Sequence, residues 1–431
     1  MAEPWTLTAT GIAVRIRAGT LRSEEAVLSC FHRIAARDGT VQAWEWLDLD
    51  GAIYEARARD AEPPRGPLHG VPVAVKDIID TDDMPTGYGS TIYAGHRPQR
   101  DADCVERLRA AGAVILGKTV TTEFATYRPG KTRNPHDPGR TPGGSSSGSA
   151  AAVASGMAPL ALGTQTVGSV IRPASFCGVV GFKTSKGRVP MTGVKPLAAA
   201  LDSLGVFSRT VADAALWFTS VTGEAVPEQH GSAARVGLVR TAHWSEAEPE
   251  TRAAVEQVAA RLKSAGGEVG EPDLPPAFAR LAEAQDIIFA TGAVAALAQE
   301  WKEQRHTLSP QLCAVLERGE AVSEQELADA RAVAESCHAT MARLFGNYDL
   351  ILAPAAKGEA PRGLETTGDP LFNRMWTLLL GPCATLPAAS GPNGMPVGVQ
   401  FIGAFRRDAT FLGHLGWAAH VLGLDHGVEP V

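Results

Sequence analysis

Residues 140–182 read RTPGGSSSGSAAAVASGMAPLALGTQTVGSVIRPASFCGVVGF. Gly143, Gly144 and Gly148 punctuate a run of hydroxyls, Ser145, Ser146, Ser147 and Ser149. Such a run supplies main-chain N–H groups and hydroxyls with little bulk. Ser149 is expected to cap an alanine-rich helix that stops near Gly156. Leu160 to Gly163 predicts a short buried strand that empties into a second small-residue turn, Thr166-Val167-Gly168-Ser169. Two serine-bearing turns therefore flank one helix–strand unit. Turns of this kind let a reacting carbonyl approach main-chain amides, which is what an oxyanion hole needs.

Three other readings of the first turn fit less well. A flexible linker fits the composition, but the run opens directly into a periodic apolar segment. A phosphate-cradling loop lacks the Gly-Lys-Ser/Thr it requires. Gly144 to Gly148 satisfies G-x-S-x-G, the nucleophile elbow, yet that elbow follows a strand, and Arg140 to Gly143 is turn chemistry.

Outside this stretch, 431 residues allow one large α/β domain or two smaller ones. A hydrophobic content of 45% and a charged content of 20% fit a soluble globular enzyme. The net charge of −7, with no lysine/arginine cluster, argues against nucleic acid and anionic membranes as partners. Six cysteines are scattered singly with no C-x-x-C pair, so neither a zinc site nor a disulfide framework is suggested. The N-terminus lacks an apolar signal region and no stretch approaches 18 apolar residues, so a cytoplasmic location is expected.

Taken in order, Thr8 to Asp60 predicts helix, with Ser23 as an N-cap. Val71 to Val75 predicts a buried strand ending in Lys76-Asp77. A lysine there has two readings: a structural ion pair with Asp77 or another carboxylate, or an amine whose pKa burial lowers until it serves as a neutral base. Asp103 to Ala111 predicts a helix, Ala113 to Leu116 a strand, and Thr210 to Val221 a helix. The alternation implies an α/β fold with a mixed, mostly parallel sheet. The polar stretch from Gly223 to Ala234 is the expected subdomain boundary. Beyond it come a strand from Arg235, a helix from Glu248 to Ala265, helices over 276–345, a strand at Asp349 to Pro354, and two strands within Ala384 to Phe401.

Read together, LHGVPVAVKD (68–77), GAVILGKT (112–119), TRNPHDPGRTPGGSSSGSAAAVASG (132–156), LGTQTVGSVIRPASFCGVVGFK (162–183) and LDSLGVFSRTVADAA (201–215) resemble the amidase signature family. GDPLFNRMWT (368–377) and PVGVQFIG (396–403) resemble further blocks of the same family, in its order. The resemblance implies one amidase domain over 1–431, with a core at about 65–215, a smaller helical insertion at about 235–345 and returning strands at about 349–425. It implies a large mixed, twisted sheet wrapped by helices. It implies a catalytic triad without histidine, metal or other cofactor: Ser169 the nucleophile, Ser145 the bridging serine after a cis peptide, and Lys76 the base. Ser145 and Ser169 lie 24 positions apart, as the family arrangement asks.

By the same resemblance, Thr166, Val167 and Gly168, with Ser169, offer the oxyanion amides. Gly143, Gly144, Phe124, Tyr127, Ile171, Asn373 and Trp376 are candidate walls of the substrate pocket. Three departures matter. Val167 and Gln165 stand where the family has glycine and aspartate, and Ile171 stands where an arginine often follows the nucleophile by two, Arg172 coming one residue later. An acid–arginine pair behind the nucleophile is therefore expected to be lost and replaced by neutral hydrogen bonds from Gln165. Cys177 is expected to be a packing residue, and His69 and His136 are minor rivals for the base.

The expected activity is a stand-alone amidohydrolase forming an acyl-enzyme on a small amide, with an aryl amide, anilide or carbamate (urethane) in view. The alternatives are a glutamine-hydrolysing subunit of a tRNA-dependent amidotransferase, for which no extra C-terminal segment is evident, and a non-catalytic relative acting as a binding protein. Dimers are common in the family, so a homodimer is in view.

Overall fold

The structure is a computed structural model that describes residues 3–227 and 233–431. Part of the expected boundary, 228–232, lies outside the described residues. Eleven strands form one sheet: β1 (Trp44–Leu47), β2 (Pro72–Lys76), β3 (Val114–Thr119), β4 (Leu160–Gln165), β5 (Val180–Lys183), β6 (Ser203–Ser208), β7 (Arg235–Leu238), β8 (Glu268–Gly270), β9 (Leu350–Pro354), β10 (Cys383–Ser390) and β11 (Pro396–Ile402). Their order is β1-β3-β2-β4-β6-β5-β10-β11-β9-β7-β8.

The α/β class and the mixed, helix-wrapped sheet are as expected; the strand directions correct the mostly parallel reading. Parallel pairing joins β2 to β3 and β4, and β7 to β8 and β9. The six other pairings are antiparallel. Alternation of helix and strand predicts crossovers, but β10 and β11 are joined by a short turn, and a short connection returns the chain antiparallel.

The central strands β2, β3 and β4 are buried along their whole length, because helices cover both faces. On one face lies the helix Ser147–Ala154, every residue of it buried. Its small side chains allow the close approach: a Cβ on Gly148 would stand 2.2 Å from the Ala43 carbonyl oxygen. Ser149 is not its cap. The helix begins two residues earlier, and Ser149 instead donates to the Leu162 carbonyl (2.7 Å) and shares a hydrogen bond with Thr119 (2.7 Å), pinning the helix to β3 and β4. Ser23 likewise opens its helix rather than capping it. The carboxylate of Asp60 takes the amides of Ser23 (2.6 Å) and Glu24 (3.1 Å), so the cap comes from a distant segment.

The segment Thr8 to Asp60 contains three helices and also β1, an edge strand. The segment 276–345 is helical, as expected, and its helix Leu281–Ala296 packs on Leu371–Leu378. Among the described residues no helix is long and apolar enough to cross a membrane.

Candidate active site

Lys76 ends β2 with its side chain completely buried. Its Nζ donates to Ser145 Oγ (2.8 Å) and to Thr164 Oγ1 (2.9 Å). Thr164 belongs to β4, the parallel neighbour of β2, so two strand ends and the Gly143–Ser147 turn converge on one amine. Burial holds Lys76 well below the ordinary lysine value, against the smaller upward pull of the Asp202 charge. The ion-pair reading therefore fails for Asp77. That carboxylate accepts from the Gly87 amide (3.1 and 3.2 Å) and stands 3.8 Å from Lys118 Nζ, and burial raises it to about 7.

The first turn is shaped by its glycines. Gly143 adopts φ +84°, and a Cβ there would stand 2.8 Å from Pro173 Cα. The Gly144–Ser145 peptide is cis.

The second turn holds its carbonyls and frees its amides. The Thr166 carbonyl accepts from Gln285 Nε2 (3.4 Å), that of Val167 from the Thr377 hydroxyl (2.6 Å), and that of Gly168 from the Arg172 amide (3.0 Å). Among the described residues the amides of Thr166, Val167, Gly168 and Ser169 have no acceptor. Peptide groups whose oxygens are tied back present their N–H groups the other way, which suits a developing oxyanion. Ser169 is 7% exposed, and its hydroxyl has no partner among the described residues, Ser145 included. Val167 sits in this turn without a positive φ, so its branched side chain is accommodated.

Gln165 organises the turn from behind. Its Oε1 accepts from the amides of Val170 (2.8 Å) and Ile171 (3.1 Å), and its Nε2 donates to Thr377 Oγ1 (2.9 Å), the hydroxyl that reaches Val167. Arg172 has no carboxylate partner among the described residues; it binds Gly144 and Thr367 instead. Neutral hydrogen bonds thus stand where an acid–arginine pair was expected to be absent. Asp202, buried, accepts from the Thr166 hydroxyl (2.6 Å) and from the amides of Leu197 and Ala198, bracing the far side of the turn.

The candidate pocket residues divide. Gly143 and Gly144 belong to the first turn itself. Asn373 abuts the second: its Nδ2 donates to the Ala355 carbonyl (2.9 Å), its Oδ1 has no partner among the described residues, and a Cβ on Gly168 would stand 2.3 Å from that oxygen. Tyr127 packs edge-on against Phe289 (6.1 Å) and is linked electrostatically to Arg172 and Arg374. Phe124, at φ +46°, is fully buried against Tyr93 and Lys195. Ile171 and Trp376 lie in the main apolar core. Cys177 is a packing residue, its thiol on the Pro142 carbonyl (3.4 Å). Both rival histidines are held by main-chain groups elsewhere: His69 by Arg65 and Arg59, His136 by Cys177.

Thr164, Asp202, Gln285, Thr367 and Thr377 escaped the sequence reading. Thr164 carried a usable signal, a hydroxyl at the end of a strand next to the Lys76 strand. The others are joined to the site only by tertiary contact. Three carboxylates that could hold a metal ion, Asp82, Asp83 and Asp101, come together, but Arg109 already binds Asp83 (2.5 Å) and Asp101 (2.8 Å).

A family model described as Amidase matches residues 25–412. A glutamyl-tRNA(Gln) amidotransferase subunit of Moorella thermoacetica is 34% identical over 95% of this chain and 95% of its own. 2-Amino-5-chloromuconic acid deaminase of Comamonas testosteroni is 34% identical over 93% of each chain. A solved structure described as an amidase superposes with a TM-score of 0.89 at 31% identity, covering 97% of this chain and all of the other. The chain belongs to the amidase signature family. It is an amidohydrolase, acting on C–N bonds.

Proposed function

We propose that the chain hydrolyses a small amide through an acyl-enzyme on Ser169, with Ser145 and Lys76 relaying the proton. The observation that carries this reading is the 2.8 Å contact between a fully buried Lys76 and Ser145, beside a turn with four amides that have no acceptor among the described residues. A serine hydroxyl is a weak nucleophile until a base takes its proton. Burial favours the neutral form of the Lys76 amine; in that form its lone pair takes the Ser145 proton across the same 2.8 Å contact while Ser145 accepts that of Ser169. Ser169 attacks the carbonyl, and the oxyanion settles on the amides of Thr166 to Ser169, each donor worth roughly 3–4 kcal/mol in the transition state. The relayed proton then passes to the leaving nitrogen, which departs as an amine. Water attacks the acyl-enzyme by the same route and releases the acid.

An aryl amide, anilide or carbamate is the favoured substrate class, because Val167 puts an apolar side chain in the turn, and the helix whose Gln285 reaches Thr166 also carries Phe289, paired with Tyr127. A panel of aryl amides, anilides, primary amides, ureas and carbamates tests this, with Ser169→Ala and Lys76→Ala alongside. One class should turn over, and both folded variants should lose roughly 10⁴-fold or more. Retained activity in either variant would overturn the assignment. The second reading, glutamine hydrolysis for a tRNA-dependent amidotransferase, is favoured by the name of the Moorella relative. It predicts turnover of glutamine and none of the aryl compounds.

A further inference from the structure

We infer that Arg172 is a positioning residue of the relay, holding the two serine-bearing turns in register through one guanidinium. This rests on the acyl-enzyme reading above. Arg172 follows Ser169 by three residues, in the first turn of the helix Ile171–Cys177, and is 3% exposed. One terminal nitrogen donates to the Gly144 carbonyl (2.8 Å) and the Thr367 hydroxyl (3.0 Å), and Nε donates to the Thr367 carbonyl (2.8 Å). The other terminal nitrogen has no partner among the described residues.

The contact on Gly144 is the informative one. That oxygen belongs to the peptide unit whose nitrogen is Ser145's own, so the guanidinium fixes the plane from which the bridging hydroxyl hangs. The same side chain is rooted one helical turn from the nucleophile. The distance between the two hydroxyls is therefore set across Arg172, with Thr367 closing the third side: a Cβ on Gly144 would stand 2.7 Å from the Thr367 methyl.

A purely structural filler does not need this chemistry. A buried cation with no carboxylate is costly, and a well-packed apolar residue of similar volume is commonly as stable or more so. What only arginine supplies is a rigid planar fork that reaches two acceptors at once. Burial lowers its pKa to about 10, so it remains charged at neutral pH.

The test is phosphonylation of Ser169 by an aryl fluorophosphonate, with the maximal inactivation rate and the half-saturating probe concentration measured separately. Wild type, Arg172→Lys and Arg172→Ala are compared per folded molecule by near-UV circular dichroism. Displacing reacting groups by about 1 Å costs about 100-fold, so Arg172→Ala should lose about that in maximal rate with half-saturation unchanged. Methylguanidinium at a non-denaturing concentration should restore at least part of the rate. Arg172→Lys, which keeps the charge but not the fork, should also fall, and it carries the test if the alanine variant does not fold. A maximal rate within twofold of wild type in the folded variants overturns the inference, as does a loss confined to half-saturation, which would make Arg172 a ligand contact. Failure of wild type to label at Ser169 would instead sink the acyl-enzyme reading.

Discussion

At the scale of single residues, the behaviour of Lys76 follows from burying an amine among neutral hydroxyls. In the unfolded chain this lysine stays protonated to about pH 10.4; in the folded chain burial lowers its pKa well below that. Between the two values the unfolded state binds the extra proton, so this group's contribution to stability rises with pH through that window and is lost as pH falls through the folded value. Lys76→Met removes the titration. Chemical denaturation across pH should show the variant gaining on wild type as pH falls; a constant difference would count against a neutral buried amine. Activity follows the same protonation: kcat/KM should rise with pH through the folded pKa of Lys76. The lysine was legible because a charged residue ending an apolar run is conspicuous. The partners of Arg172 were not, since Thr367 lies 195 positions away.

At the scale of elements, one of the hydrogen-bond chains that hold the turn 165–170 runs from Gln165 to Thr377, and from Thr377 to the Val167 carbonyl. Thr377→Val keeps the shape and removes the hydroxyl. It leaves a buried acceptor and a buried donor unsatisfied, costing about 1–3 kcal/mol, and thermal unfolding with steady-state kinetics should show a lower kcat at nearly unchanged KM. Gly168→Ala forces a methyl to within 2.3 Å of Asn373 Oδ1 and should abolish turnover while the rest of the fold persists. Wild-type rates in Gly168→Ala would exclude this turn as the oxyanion hole. Both turns were visible in the sequence as small-residue runs flanking a helix–strand unit. The exact helix start was not, because Ser146, Ser147 and Ser149 are chemically alike and Ser149's hydroxyl was claimed by Leu162 and Thr119. β1 was missed for a related reason: four residues on a sheet edge are held by pairing with β3 and carry too little pattern of their own.

On the scale of the whole molecule, the sheet brings sequence-distant pieces onto one site. β2 supplies Lys76, the end of β4 the turn that carries Ser169, and the helix Leu371–Leu378 supplies Asn373 and Thr377. The helix Leu281–Ala296 reaches the same turn through Gln285, which also accepts from Arg374 (3.1 Å). The α/β class was legible from alternating periodicities, but the strand directions were not, since parallel and antiparallel neighbours share a pattern once both faces are covered. The assembly makes sense only if one hydroxyl among the many in these turns is the reactive one. Peptide mapping by mass spectrometry after fluorophosphonate treatment tests this most directly, on wild type, Ser169→Ala and Lys76→Met. A single adduct is expected on Ser169, absent from Ser169→Ala and formed far more slowly in folded Lys76→Met. An adduct on another serine, or labelling undiminished by loss of Lys76, would contradict it.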